Sequence, residues 1–394
     1  MILIKNATLC DVNGERLENL YIYGEKIVKN PNIDEKDCEV IDATGLVLMP
    51  SFADTHAHFR EPGFEYKETI EGGVKSAVKG GFTTVNLMGN TKPVASSMEV
   101  VNYVLSKAKE VGMCDIHQCV SITKDFDGET LSHLDTLDDT VKCISEDGKW
   151  VTSNSVMANA MQKATEKGLC IMSHAEEMVL SKTDYRLAEN LATMRDIMLA
   201  ERYGTHLHMA HVSTKEAMSY IIDAKKRGQN VTCEVTPHHI WFYDKEYRVN
   251  PPIREKEDVE FLISAIKDGY VDCIGTDHAP HSDEDKAKGA PGMVGIEDAF
   301  AVCYTKLVKE GHINLPQLSK IMSYTPNKIL GYEKGLLDDG YLADVVLVDL
   351  NKSYTISRDN LISKSKNTAF EGETVTGEVV MTIHRGKVVY KKGN

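Results

Sequence analysis

Between about residue 50 and residue 333, short apolar runs alternate with helix-like segments, and few architectures accept that order. "TTVNLMGN" follows "ETIEGGVKSAVKGG", "CIMSHAEE" follows "NSVMANAMQKATEKG", and "THLHMAHVS" follows "NLATMRDIMLAERYG". "NVTCEVTPHH" and "DCIGTDHAPH" continue the series after "KEAMSYIIDAKKRG" and "KEDVEFLISAIKDG". Helical segments close repeatedly on Gly, where a chain turns back toward a strand. Strand–helix alternation implies a parallel sheet, and its length suits a closed barrel better than an open sheet. Residues 1–48 instead read as short strands broken by turns in "DVNGER" and "YGEK", and the final stretch returns to strands in "ADVVLVDLNKSYTI" and "GEVVMTIHRGKVVY". The expected fold is therefore α/β: a distorted (β/α)8 TIM-type barrel over 49–333, beside a small β-sandwich built from both termini, 1–48 and 334–394.

The ends of those apolar runs carry donor-type side chains. "DTHAH" ends the first with His56 and His58, whose i, i+2 spacing places both imidazoles on one side of a strand. Asp147 in "ISEDGK", His174 in "CIMSHAEE", His211 in "LHMAHVST" and Asp277 in "CIGTDHAPH" follow at later strand ends. A lone H-x-H is usually an ordinary pair. Here the further donors downstream favour a hydrolytic metal centre, which needs imidazole and carboxylate ligands with one position open to water. Arg60 continues the parity of His58 and is suited to grip a carboxylate through two hydrogen bonds; the bland alternative is a surface ion pair with Glu61 or Glu65. Lys142, five residues before Asp147, ranks second to it as a ligand. His206, His208, His238, His239 and His278 read as core, pocket-lining or supporting groups outside the ligand set.

Composition narrows the class further. The 394-residue chain carries a formal charge of −14 with no Lys/Arg-rich block, which argues against nucleic acid or an anionic membrane as partner. An anionic substrate must then be held by local cations. Nine cysteines without a C-x-x-C pair favour reduced thiols. There is neither a signal-peptide pattern nor an apolar stretch long enough for a bilayer, so a cytoplasmic protein is expected.

The motifs "DTHAHFREPGFEYKETIEGG", "GGFTTVNLMGNTKP", "EDGK", "HAEE", "AHVSTKEA", "CEVTPHH", "RVNPPIREKED", "TDHAPH" and "PGMVGIEDA" together resemble the dihydroorotases, of the bacterial class I type within the amidohydrolase superfamily. The resemblance implies zinc, one or two ions per subunit, held by His56, His58, Asp147, His174, His211 and Asp277. It implies reversible closure of N-carbamoyl-L-aspartate to dihydroorotate in pyrimidine synthesis, with Asp277 as proton carrier. It also places His58, Arg60, Asn90, Asn250, His281, Pro291 and Gly292 against the substrate. A homodimer is the implied assembly, and an association with aspartate transcarbamoylase is compatible with it. The competing readings are another cyclic amidohydrolase, of allantoinase or dihydropyrimidinase type, and a non-catalytic homologue that scaffolds aspartate transcarbamoylase. The charged, Gly-rich segment "HSDEDKAKGAPGMVG" reads as a lid.

Overall fold

The computed structural model describes residues 1–29, 31 and 34–393. Its central feature is a ring of parallel strands: Phe52–Ala57, Phe82–Leu87, Asp115–Gln118 continued by Val120–Ser121, Cys143–Ser145, Cys170–Ser173, Leu207–Met209, Val231–Val235 and Cys273–Ile274. They pair in chain order, the first three in one sheet and those from Val120 onward in a second. The stretch 115–121 belongs to both sheets and so joins them. Closure comes from a parallel bridge between Ala57 and His278, with the His58 amide donating to the His278 carbonyl at 2.8 Å. Asp54 reinforces that seam from within the first stave, accepting hydrogen bonds from the Thr276 amide at 2.9 Å and hydroxyl at 2.5 Å.

These staves form because they are rich in aliphatic and β-branched residues and are covered on both faces. Every residue of Phe52–Ala57 and Phe82–Leu87 is buried. The helices cover the outside with one apolar stripe each. Ile70–Lys79 buries Ile70, Val74, Ala77 and Val78 while Glu71 and Lys75 face solvent, and Thr69 caps it by accepting from the Gly72 amide at 3.0 Å. Ile70, Val74 and Val78 each contribute about 1.5–3 kcal/mol on full burial. Gly168 and Gly204 end their helices at φ +67° and +69°, a backbone region that costs glycine nothing and returns the chain to the next stave.

Two further sheets are built from the ends of the chain, the first from N-terminal strands alone and the second from strands of both ends. One has the order Lys26–Val28, Leu20–Tyr23, Ile2–Lys5, Glu39–Asp42; the other runs Lys387–Lys391, Thr374–His384, Val345–Thr355, Val47–Pro50, Thr8–Asp11, Gly14–Leu17. Ile4, Leu9, Ile22, Ile27, Leu48, Val345, Leu347 and Ile383 form their shared core. The apolar run "TGLVLMPSFADTHAH", continuous in sequence, is divided at Ser51: Val47–Pro50 belongs to the terminal sheet and Phe52–Ala57 opens the barrel. The Ser51 amide donates to the Asp344 carbonyl at 3.0 Å, pinning the chain where it passes from one layer to the other.

Candidate metal centre

The carboxyl ends of the staves converge on a group of buried imidazoles and carboxylates: His56, His58, Asp147, His174, His211 and Asp277. His56 lies inside the first stave and His58 just past it; Asp147, His174, His211 and Asp277 each follow a later one. Asp147 is the hub. Its Oδ1 lies 3.3 Å from His56 Nε2, 3.3 Å from His174 Nδ1 and 3.8 Å from His211 Nε2, and its Oδ2 lies 3.6 Å from His58 Nε2. Asp277 Oδ1 closes the group from the last stave, 3.2 Å from His58 Nε2 and 3.8 Å from His56 Nε2. His211 and Asp277 hold φ of +34° and +46°, a region that costs a non-glycine residue on the order of 1–3 kcal/mol and is concentrated at functional sites.

The outward nitrogens of three imidazoles are anchored. His56 Nδ1 meets Glu234 Oε1 at 2.8 Å, His58 Nδ1 meets Asn90 Oδ1 at 2.8 Å, and His174 Nε2 meets Glu176 Oε2 at 2.9 Å. Such outer partners fix ring orientation and raise ligand basicity. The inner nitrogens of His56 and His58 face the two aspartates, those of His174 and His211 meet each other at 2.8 Å, and His56 Nε2 is buried without a hydrogen-bond partner. Electrostatics point the same way. Burial disfavours charge on His56 and His174, yet the surrounding carboxylates, led by Asp147, hold His56 well above its ordinary value and bring His174 to about 9. Burial pushes Asp147 up, and the histidines more than reverse it, holding the carboxyl well below the usual range. The cluster is short of positive charge, and its nitrogen and oxygen donors suit a divalent ion. Two overlapping triads, His56–Asp147–His211 and His56–His58–Asp277, each bring donor atoms within 4.8 Å of one another.

Beside this cluster a cavity of about 210 Å³ is lined by His58, Arg60, Asn90, Asp147, His174, His211, Asn250, Asp277, His281, Pro291 and Gly292, among others. Every residue expected from the sequence to touch substrate therefore reaches one cavity. Arg60 arrives by a route that strand parity does not describe: the stave ends at Ala57 and Arg60 has φ +63°. Nor does it pair with Glu61 or Glu65. Its Nε donates to the Pro280 carbonyl at 3.1 Å and its Nη2 lies 3.1 Å from His281 Nε2. Lys67 Nζ approaches the other side of that imidazole, 3.2 Å from Nδ1. Burial first, then Arg60 and Lys67, push His281 down to about 3, so it stays neutral between two cations. A buried guanidinium with no carboxylate partner among the described residues calls for an anion.

Asn90 is engaged at both ends, accepting from His58 and donating to Asp147 Oδ2 at 3.0 Å, and Asn250 donates to Glu176 Oε2 at 2.7 Å. Lys142 is exposed and outside the cluster. His238 and His239 pack on each other with centroids 4.5 Å apart, and His278 stands edge-on to Phe59 with its Nδ1 3.4 Å from the Gly295 amide. The lid-like segment contains a short helix, Asp283–Ala287, capped by Ser282, before Pro291 and Gly292 return to the cavity wall. Glu176, Glu234 and Lys67 escaped the sequence reading. An acid inside the apolar run "VTCEV" was the one local signal for Glu234.

Comparison with known proteins agrees with this geometry. The profile of the amidohydrolase family matches residues 47–389. A dihydroorotase of Clostridium botulinum (strain Eklund 17B / Type B) is 52% identical over 99% of this chain and 100% of its own length. The dihydroorotase of Bacillus subtilis (strain 168) is 38% identical over 99% and 98%. Among solved structures, a D-hydantoinase from Thermus sp. superposes with a TM-score of 0.88 at 26% identity, covering 100% of this chain and 96% of its own. A dihydropyrimidinase from Brevibacillus agri gives 0.87 at 25%, covering 99% and 95%. The chain belongs to the amidohydrolase family, and within it to the dihydroorotases.

Proposed function

We propose that this protein is a zinc-dependent dihydroorotase, interconverting N-carbamoyl-L-aspartate and dihydroorotate in pyrimidine synthesis. One observation carries the reading: a single small cavity holds a donor cluster short of positive charge beside a buried guanidinium short of negative charge. A cyclic amide bearing a carboxylate matches both deficits. His56, His58, Asp147, His174, His211 and Asp277 would hold one or two ions. When bound, the ion supplies Lewis acidity, lowering the pKa of water from ~15.7 to about 7 and polarising a carbonyl.

The chain's own groups do the rest. Arg60, with His281 and Lys67 beside it, binds the carboxylate and orients the ring. Asn250, Pro291 and Gly292 line the ring's position. Asp277 accepts a proton from the attacking water and delivers it to the ring nitrogen as its bond to the carbonyl carbon breaks. In the closing direction the same carboxylate takes the proton from the carbamoyl nitrogen, and the β-carboxyl group loses one oxygen as water. Burial raises the Asp277 carboxyl, but His58, His56 and His211 hold it below the usual carboxylate range, so it starts ionised, as a base must.

A ring-opening assay on purified protein with metal quantified tests the reading. Turnover of dihydroorotate, with little on hydantoin or allantoin, is expected; the reverse preference would sink it. Leu187, Leu191, Met194 and Met198 recur along one exposed face of the helix Tyr185–Tyr203, and they support a homodimer, checked by sedimentation. All nine cysteines are unpaired, which supports a cytoplasmic setting; no helix of the described residues is long and apolar enough to cross a membrane. Association with aspartate transcarbamoylase rests on the sequence resemblance alone.

A further inference from the structure

Glu234 is a fully buried carboxylate that the reaction described above does not use. It sits in the seventh stave, Val231–Val235, below the donor cluster. An ionised carboxylate only accepts hydrogen bonds. Its Oε1 faces His56 Nδ1 at 2.8 Å and the His211 amide at 3.2 Å; its Oε2 faces His208 Nε2 at 3.1 Å and the Thr55 hydroxyl. One side chain thus ties the first stave to the segment that carries His211.

Two independent features show that this seat is built for the carboxylate. Gly275 lies opposite it in the last stave's "CIGTD". A Cβ there would stand 2.5 Å from Glu234 Cδ and Oε2 and 2.8 Å from Oε1. Gly275 is absent from the positive-φ glycines, so the position requires space and not conformational freedom. The second feature is charge. Glu189, a buried carboxylate in the same barrel, is neutralised by Arg254 at 2.9 Å. Among the described residues Glu234 has no Lys or Arg partner; its ion-pair partners are the imidazoles of His56 and His208.

We propose that Glu234 is the positioning residue of the metal centre: by accepting from His56 Nδ1, it fixes the ring so that Nε2 is the nitrogen turned between Asp147 and Asp277 and the one an ion would take. His56 Nε2 is the free end of that arrangement, buried 3.3 Å from Asp147 Oδ1 and 3.8 Å from Asp277 Oδ1. His208 repeats the arrangement one step back, giving its Nε2 hydrogen to Glu234 while Nδ1 meets the Thr232 hydroxyl at 2.9 Å. The proposal rests on the metal-centre reading, and the test separates the two.

The test compares wild type, Glu234→Gln and Glu189→Gln by titrating Zn2+ against a competing chelator. Glu234→Gln keeps the shape but not the charge, and is expected to weaken metal affinity by about 10–100-fold, with KM for dihydroorotate unchanged at saturating metal. Glu189→Gln is expected to unfold at lower temperature with metal affinity intact. Wild-type affinity in Glu234→Gln, or an equal loss in both variants, would overturn the proposal. A crystal structure of zinc-loaded wild type decides the matter even if Glu234→Gln does not fold. His56 Nε2 on the ion with Nδ1 on Glu234 upholds the proposal, and Nδ1 on the ion refutes it. Wild type that takes up no zinc would bring down the metal centre itself.

Discussion

Two of the acid–imidazole knots among the described residues, one at the barrel mouth and one at its junction with the terminal sheets, differ in that only the first is built to take an ion. At the barrel mouth, Asp147 and Asp277 face His56, His58, His174 and His211. At the junction between the barrel and the terminal sheets, Asp115, Asp344 and His384 also bring donor atoms within 4.8 Å of one another. The residues look alike on paper, but their charge balance differs. At the junction Lys334 Nζ lies 2.6 Å from both Asp115 and Asp344, and Arg385 Nη2 lies 3.1 Å from Asp115. Two side-chain cations already meet two acids. At the mouth no Lys or Arg pairs with either aspartate among the described residues, and Arg60 turns its guanidinium to Pro280 and His281. A buried acid–imidazole cluster becomes a metal site where the chain withholds its own cations. Where it supplies them, the cluster is a clasp.

Removing metal should give the widest separation between the two. Dialysis against a strong chelator is expected to take ring-opening activity to background and stoichiometric Zn2+ to restore it, because only the mouth depends on an added cation. Activity that persists with metal measured at zero would erase the distinction. Next in size is Asp277→Asn, which removes the carboxylate proposed as proton carrier but keeps a neutral donor of the same shape. Loss of a general acid–base group costs typically about 10²–10⁴-fold in kcat; the variant should retain at least one metal ion by elemental analysis. Full turnover would reassign the proton transfer.

Lys334→Met attacks the clasp. Breaking a buried pair by deleting one partner costs about 3–5 kcal/mol because it strands the other charge. Thermal and denaturant unfolding should show that loss, with kcat and metal content of the folded fraction unchanged. A fall in kcat without a fall in stability would mean that the two knots communicate. Arg60→Met sharpens the mouth side. It removes a charge-assisted contact worth roughly 1.5–3 kcal/mol, so KM for dihydroorotate should rise about 10–100-fold while kcat moves much less. An unchanged KM would take the carboxylate away from Arg60.

What could be read from the sequence follows from range. His56 and His58 declare themselves by spacing, and Asp147, His174, His211 and Asp277 by position after an apolar run; both signals lie within a few residues. The barrel was visible for the same reason, since each strand–helix unit is a local pattern. Glu234 was not, because its meaning depends on His56, which lies 178 residues away in sequence and meets it only once the barrel closes. The Lys334 clasp has the same character, with partners 219 residues away at Asp115. Arg60 shows a subtler limit: strand parity placed it in the cavity, but the stave had already ended and a left-handed turn at Arg60 itself does the aiming. The break at Ser51 was hidden inside a run whose apolar character is continuous, because both sheets ask for the same residue types.

The smallest expected effect concerns acid stability, and its sign distinguishes clasp from metal site. Burial pushes the Asp344 carboxyl up, but His384 and Lys334 more than offset it and hold the group below its ordinary value of 3.8. The unfolded chain therefore takes up a proton on this residue near pH 4 while the folded chain stays ionised. Below that pH the unfolded state binds more protons, so stability falls as pH falls, by up to about 1.4 kcal/mol per pH unit for the one proton. Above the ordinary carboxylate range the contribution is complete and flat. Lys334→Met removes one of the cations that depress Asp344, so its unfolding free energy should decline less steeply below pH 4 than that of wild type, with both measured by urea titration on protein stripped of metal. If the two acid limbs run parallel, Asp344 owes nothing to Lys334, and the junction is not the self-neutralised counterpart of the mouth.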